Sequence, residues 1–230
     1  MRTTQVTPNL IQLTKWGLIN AYLVHEEDGF TLVDTTMSAA SAIIAASVQQ
    51  NGLIKRIVLT HGHSDHVGSL DELRKLLGPE IPILMPAVDA AIFDGVMPEP
   101  PARKRGSWPK LDCRPDTLLS EGDRIGNLEV IATPGHTPGH SALLDHRDRS
   151  VIAGDAFTNV GGLAIPNHPY RRFPLPYFAT WDRKAALTSA GRIRDLEPTL
   201  LVFGHGPALP EPSSALERAL AVATRKQRNS

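Results

Sequence analysis

The stretch "LTHGHSDHVGSL", residues 59–70, places three histidines and an aspartate within six positions directly behind the apolar run Ile57-Val58-Leu59. Such a run reads as a buried strand, and few chains end one by crowding metal-binding side chains together. A chance His-x-His-x-Asp-His in a chain of this length has odds of roughly one in a thousand from composition. The same arrangement then recurs. Ile131-Ala132-Thr133 leads to Pro134-Gly135-His136, Val151-Ile152-Ala153 to Gly154-Asp155, and Leu201-Val202-Phe203 to Gly204-His205. Strand ends are where such sites assemble, because the loops converge there while the strands stay rigid. Glycines beside three of these residues let the backbone turn sharply after the strand.

The donor count is chemically specific. The five imidazoles of His61, His63, His66, His136 and His205 and the carboxylates of Asp65 and Asp155 are too many for one tetrahedral zinc. They suit two metals sharing a bridge. Nitrogen and oxygen donors without thiolate fit two zinc ions, with iron or manganese as alternatives. The reading is a dinuclear hydrolase site.

Around these motifs the pattern alternates strand and helix. Strands are predicted over 6–14, 18–25, 30–34, 54–60, 81–85, 117–120, 128–133, 142–146, 150–153 and 199–203. Helices are predicted over 38–50 behind a Ser38 cap and before an Asn51-Gly52 stop, over 70–77 behind Ser69 with Glu72 in capping-box register, and over 86–93. Two more follow, over 181–196 and from about Ser214 with Glu217 as a second capping box. Residues 95–116 and 156–180 carry prolines and aromatics without a period and read as long loops. A sheet covered by helices follows from this alternation.

Composition narrows the setting. With 230 residues and a formal net charge of +0, the chain can bury a core unaided and exerts no long-range pull on nucleic acid or anionic lipid. The single cysteine, Cys113, excludes an internal disulfide framework and a cysteine-based zinc site. The first ten residues are polar and no apolar run reaches membrane-spanning length. The expectation is a cytoplasmic protein acting on a small-molecule substrate, with no nucleic-acid or membrane partner. The basic run Arg103-Lys104-Arg105 reads as a solvated loop.

In this order, "THGHSDH", "TPGHTPGH", "AGDAF" and "FGHG" closely resemble the motifs of the metallo-β-lactamase superfamily, particularly its glyoxalase II-like and lactonase-like hydrolases. The resemblance runs from Asn20 to Gly206. It implies an α/β fold, an αβ/βα four-layer sandwich of two mixed β-sheets flanked by helices, with residues 1–230 as one domain. Carried over residue by residue, it implies that His61, His63 and His136 hold a first metal. Asp65, His66 and His205 would hold the second, and Asp155 would bridge. Asp65 would also orient the nucleophile, as the catalytic residue. Asp34, in "LVDTT", matches the family's early aspartate, which supports the site without ligating.

The resemblance also separates subfamilies. Thr158 stands where lactonases of this fold carry a tyrosine, and only about two dozen residues follow His205, where glyoxalase II carries a glutathione-binding helical domain. An export signal and nuclease-type arms are likewise not legible. What remains is a hydrolase of a small lactone, ester or thioester, working through a hydroxide shared by two cations. The alternatives are an iron redox or persulfide-type enzyme of the same fold, or a β-lactam or phosphodiester hydrolase. His140 reads equally as a support of the site and as a packed or backbone-bonded histidine. His25 and His146 read as ordinary strand-end residues, and His168, in the second long loop, as exposed in preference to facing substrate. Tyr170 or Tyr177 could supply a phenol, and Trp108, Phe173, Tyr177 and Phe178 either shape a pocket or seal the sheet edge. Arg171-Arg172 is the one basic pair noted near the site, with capacity for a single carboxylate or phosphate.

Overall fold

The structure, a computed structural model, describes residues 1–49, 52–96 and 108–228. They fall into two compact units, 1–96 with 108–119, and 120–228. Each unit is built on its own mixed sheet flanked by helices. Part of the predicted 95–116 insertion, including Arg103-Lys104-Arg105, lies outside the described residues, as does Asn51 of the predicted helix stop.

In the first unit β1 (Arg2–Thr7), β2 (Leu10–Lys15), β3 (Ile19–Glu26) and β4 (Gly29–Val33) form an antiparallel meander. β5 (Ile54–Val58), β6 (Ile83–Pro86) and β7 (Thr117–Leu119) extend it in parallel. The helices are α1 (Ser41–Gln49), α2 (Ser64–Val67), α3 (Leu70–Leu77) and α4 (Ala87–Phe93). Leu13, Leu23, Leu32, Ile57 and Ile83 from the strands pack with Ile44 and Leu73 from the helices, all fully buried. Each such side chain stabilises the fold by about 1.5–3 kcal/mol relative to exposure. The predicted single strand 6–14 is in fact two. Pro8, which has no N–H to give a ladder, sits in the turn, and Asn9 N–H donates to Thr7 Oγ1 there.

Both capping assignments in this unit need correction. Ser38 precedes α1 by three residues, because Ala39 takes a left-handed φ of 60° and the helix begins only at Ser41. Ser69 does not cap α3 with its side chain. Its hydroxyl donates to Met37 O and accepts from Ala40 N–H, tying the start of α3 to the entry of α1. Glu72 accepts from Ser41 Oγ and so belongs to the same tie.

The second unit holds β8 (Arg124–Ile125), β9 (Leu128–Ala132), β10 (Ser141–Asp145), β11 (Ser150–Ile152), β12 (Leu200–Val202) and β13 (Leu209–Pro210), in the spatial order β13-β12-β11-β10-β9-β8. Its helices are α5 (Leu175–Ala179), α6 (Arg183–Asp195) and α7 (Ser213–Arg228). Phe157, Ile165, Ile193, Leu201, Phe203 and Leu216 form its core. α6 is capped by Asp182, whose carboxylate accepts from Lys184 N–H and Ala185 N–H. α7 begins at Ser213, and Glu217 faces Arg194 of α6 at 3.7 Å, which replaces the second predicted capping box with an inter-helix ion pair. The loop 156–180 contains α5 and a single bridge, Thr158 with Ala164. Among the described residues no helix is long and apolar enough to cross a membrane.

Strand direction explains where the motif residues go. β9 and β11 both run antiparallel to β10, and β12 runs parallel to β11. Three strands of the second unit therefore point the same way, and His136, Asp155 and His205 leave the same sheet edge. Ile152 pairs with Val202, so Asp155 and His205 each stand three residues beyond a paired position. In the first unit β4 and β5 are parallel with Val33 opposite Val58, which brings Asp34 and Thr60 out together.

Candidate metal centre

The first unit gathers His61, His63, Asp65 and His66. The rings of His61 and His66 lie 4.0 Å apart between centroids, and those of His61 and His63 4.9 Å. The donor atoms of His61 and His63 are within 4.8 Å of each other, as are those of Asp65 and His66. The three imidazoles are buried, and Asp65 sits partly open in the first turn of α2.

Asp34 organises this group. Its Oδ1 accepts Thr60 N–H at 2.8 Å; its Oδ2 accepts the Thr60 hydroxyl at 2.8 Å and His66 Nδ1 at 2.7 Å. Because the hydroxyl hydrogen of Thr60 points at Asp34, His61 Nδ1, 3.0 Å from Thr60 Oγ1, must be the donor of that contact. Both rings thus carry their proton on Nδ1, which makes Nε2 the lone-pair nitrogen a metal requires. Thr35 clamps the backbone of the same turn, its N–H and its hydroxyl both donating to His66 O. Asp34 holds a left-handed φ of 61°, a conformation that costs a non-glycine residue energy and that aspartate tolerates better than most.

The turn between His61 and His63 has a separate support. Gly62 N–H donates at 2.9 Å to Asp89 of α4, a fully buried carboxylate. A Cβ on residue 62 would collide with the rings of Trp108 and Phe93, so only glycine fits beneath them. Trp108 meets His63 edge-on with centroids 5.5 Å apart and packs on Phe93 at 5.2 Å.

The second unit gathers His136, Asp155 and His205, all buried. Asp155 Oδ2 lies 3.4 Å from His136 Nε2 and 3.2 Å from His205 Nε2. These spacings exceed those of charge-assisted hydrogen bonds, about 2.7–2.9 Å, and suit a carboxylate that could donate to the same cations as the imidazoles on either side. Thr180 donates its hydroxyl to Pro176 O at 2.7 Å, so His136 Nδ1–H donates to Thr180 Oγ1 at 3.1 Å and Nε2 again carries the lone pair. His140 accepts Asp155 N–H on Nε2 at 2.9 Å while its Nδ1 faces Thr133 Oγ1 and Thr133 O at 2.8 and 3.1 Å. It is a neutral imidazole bonded to the backbone of Asp155 and of Thr133, as its backbone-bonded reading has it, and through that bond it fixes Asp155. The loop of His136 is held by the entry to α6. Trp181 N–H donates to His136 O and Asp182 N–H to Gly135 O, and a Cβ at Gly135, whose φ is 140°, would strike the backbone of Ala186.

The seven predicted donors therefore fall into a group of four in one unit and a group of three in the other. Hard and borderline donors, all but Asp65 buried, with tautomers fixed at His61, His66 and His136 so that Nε2 carries the lone pair, fit divalent transition metals. Thr60, Thr180, Thr35 and Asp89 carry these positions, and none has a signal in the sequence that separates it from other threonines and aspartates.

Other expectations fare unevenly. His25 packs edge-on to Phe30 and His146 pairs with Glu129, both ordinary roles. His168 is 9% exposed and held by Asn167, which overturns its reading as an exposed residue. Tyr170 gives its hydroxyl to Gly161 O at 2.8 Å, and Arg172 donates to the same oxygen, so both brace a loop. Phe173 lies against His205 at 5.1 Å, and Tyr177 packs on Phe178 at 5.2 Å.

Residues 14–205 match the family model described as the metallo-beta-lactamase superfamily. A Bacillus subtilis protein named "Uncharacterized protein YobT" is 39% identical over 208 residues, spanning 88% of this chain and 89% of its own length. "Probable metallo-hydrolase YflN", also from Bacillus subtilis, is 30% identical over 215 residues, spanning 82% of this chain and 81% of its own. Among solved structures, TTHA1623 in a di-iron-bound form is 29% identical and superposes with a TM-score of 0.67, covering 88% of this chain and 94% of that one. On the family match and the motif residues gathered in each unit, the chain belongs to the metallo-beta-lactamase superfamily and is a metal-dependent hydrolase.

Proposed function

We propose that His61, His63 and His136 hold one metal ion and Asp65, His66 and His205 a second, with Asp155 shared, and that the enzyme hydrolyses a small lactone, ester or thioester. The observation that carries this reading is the placement of Asp155 Oδ2 between the Nε2 atoms of His136 and His205, two imidazoles delivered by different strands. Zinc is the metal proposed. Bound there, two such cations would lower the pKa of a water and polarise a carbonyl oxygen.

The protein's own groups do the positioning. The carboxylate of Asp65 accepts a hydrogen bond from the attacking water and sets its direction towards the carbonyl carbon. Asp34 and Thr60 hold the rings of His61 and His66, and Thr180 that of His136, so the donors need no rearrangement during the reaction. Trp108 and Phe173, packed on His63 and His205, supply apolar walls for the substrate's carbon skeleton. The substrate is a free small molecule, and the reaction belongs in the cytoplasm, where a chain with one cysteine needs no disulfide.

The di-iron form of TTHA1623 favours a second reading, iron in place of zinc. Elemental analysis of the purified protein separates the two. A hydrolysis screen across lactones, esters, thioesters, β-lactams and phosphodiesters tests the substrate class. Neutral or singly charged lactones and esters are expected to give the highest kcat/KM. A phosphodiester cleaved with higher kcat/KM than every carbonyl substrate would overturn the assignment.

A further inference from the structure

A cavity of about 690 Å3 opens in the second unit; Asn167, His168, Tyr177, Trp181, Arg183 and Lys184 line it, with Pro169, Thr180, Gln227 and one carboxylate, that of Asp182, also on its wall. None of the seven metal donors lines it. Its polar groups are arranged for a ligand with two different ends.

One end is cationic. Arg183 is half-buried with its guanidinium 4.3 Å over the ring of Tyr177, and Lys184 follows it in the first turn of α6. Among the described residues neither has a carboxylate within ion-pair distance. The neighbouring acid, Asp182, has Oδ1 occupied by Lys184 N–H and Ala185 N–H at 2.8 and 3.0 Å. A stacked, half-buried guanidinium without an acidic partner is the arrangement that recognises a carboxylate.

The other end is a hydrogen-bond acceptor. The Asn167 amide nitrogen donates to Ala223 O and Gln227 Oε1, which turns Oδ1 towards His168 Nδ1 at 2.8 Å. His168 therefore donates from Nδ1 and offers a lone pair on Nε2, which has no protein partner among the described residues. The ring is only 9% exposed, and burial together with nearby Lys226 holds its pKa below the ordinary histidine value, in keeping with a neutral imidazole. A buried acceptor in this state is completed by an O–H or N–H from a ligand.

We propose that this cavity binds a small hydroxy acid, with the carboxylate on Arg183 and Lys184, the hydroxyl donating to His168 Nε2, and the carbon chain against Tyr177 and Trp181. Opening a lactone releases such a molecule. On the function proposed above, and resting on it in this respect alone, the ligand is the enzyme's own product and the cavity a product site that none of the seven proposed donors lines, although Thr180 on its wall contacts His136.

The test is direct binding to the full-length, metal-loaded protein, titrated with γ-hydroxybutyrate, butyrate and inorganic phosphate. Trp181, part of the cavity wall and 40% exposed, reports through its fluorescence, with calorimetry alongside. Saturable binding of γ-hydroxybutyrate is expected, at least about fivefold tighter than butyrate because only the former satisfies His168. Arg183→Met is expected to weaken it about tenfold or more. His168→Phe should retain carboxylate binding and erase the preference for the hydroxyl. If that buried replacement does not fold, Lys184→Gln, at an exposed position, carries the test with an expected loss of about threefold. No saturable binding, binding unchanged in Arg183→Met and Lys184→Gln, or binding abolished by a metal chelator would overturn the proposal. Binding that depends on Arg183 in a protein that cleaves no lactone upholds the cavity as a hydroxy-acid site and removes only its reading as a product site.

Discussion

Asp34 accepts three hydrogen bonds with two oxygens, one from His66, a proposed metal donor, and two from Thr60, which holds the ring of His61. In Asp34→Asn the amide nitrogen cannot accept, so either the Thr60 N–H contact or, with the amide turned the other way, the Thr60 hydroxyl and His66 contacts together must be lost. Zinc affinity is expected to fall about 10–100-fold, measured by chelator competition, while the protein stays folded. Thr180→Val keeps the shape but removes the acceptor for His136 Nδ1, and a loss of about tenfold is expected in the same assay. Affinities equal to the parent protein's would show that these contacts are incidental. Cys113 offers a control at a site without metal donors: burial and the neighbouring Asp71 push its thiol up to about 12. It is expected to react slowly with a disulfide reagent at mildly alkaline pH and normally once the chain is unfolded.

At the scale of elements, the strands and the histidines and aspartates at their ends are legible, because an apolar run that stops at such residues marks both. The supporting contacts are not. Thr60 lies next to His61 in sequence, but its value comes from Asp34, 26 residues away, and Thr180 supports a histidine 44 residues earlier. Ser69 and Glu72 have the local pattern of a cap, yet the nearby entry of α1 supplies better partners, so tertiary contacts win over local propensity. Asp182 is the reverse case, an effective cap that the predicted helix start at Trp181 passes over. Asp182→Ala is expected to cost about 1 kcal/mol in urea unfolding and, through Gly135, to loosen the His136 loop.

The strap after the insertion is fixed by charge. Asp116 takes both Arg74 nitrogens, at 2.8 and 3.0 Å, and Ile83 N–H, and Arg74 holds its carboxyl below the usual carboxylate value. A depressed folded pKa contributes stability above the unfolded value, about 4, and loses it as pH falls through the folded value. Denaturation of Asp116→Asn against the parent should therefore show a difference that is full above that point and shrinks on acidification. A difference independent of pH would refute the pairing.

For the whole molecule, four donors sit at the sheet edge of one unit and three at that of the other, while each core is built elsewhere, from Ile57, Leu32 and Leu73 in the first and Leu201, Phe203 and Leu216 in the second. His61→Ala should abolish turnover and leave a cooperative unfolding transition, since the residue serves the loop and not the core. Loss of the fold in that variant would make the cluster structural, as in a zinc finger. The division of the proposed donors bears most directly on metal count, because the Asp155 carboxylate faces two imidazoles, those of His136 and His205. Elemental analysis after saturation with zinc and removal of excess is expected to find close to two ions per chain in the parent protein and close to one tightly held in Asp155→Ala. A single ion in the parent protein under excess zinc would contradict the shared role of Asp155 and, with it, the dinuclear mechanism.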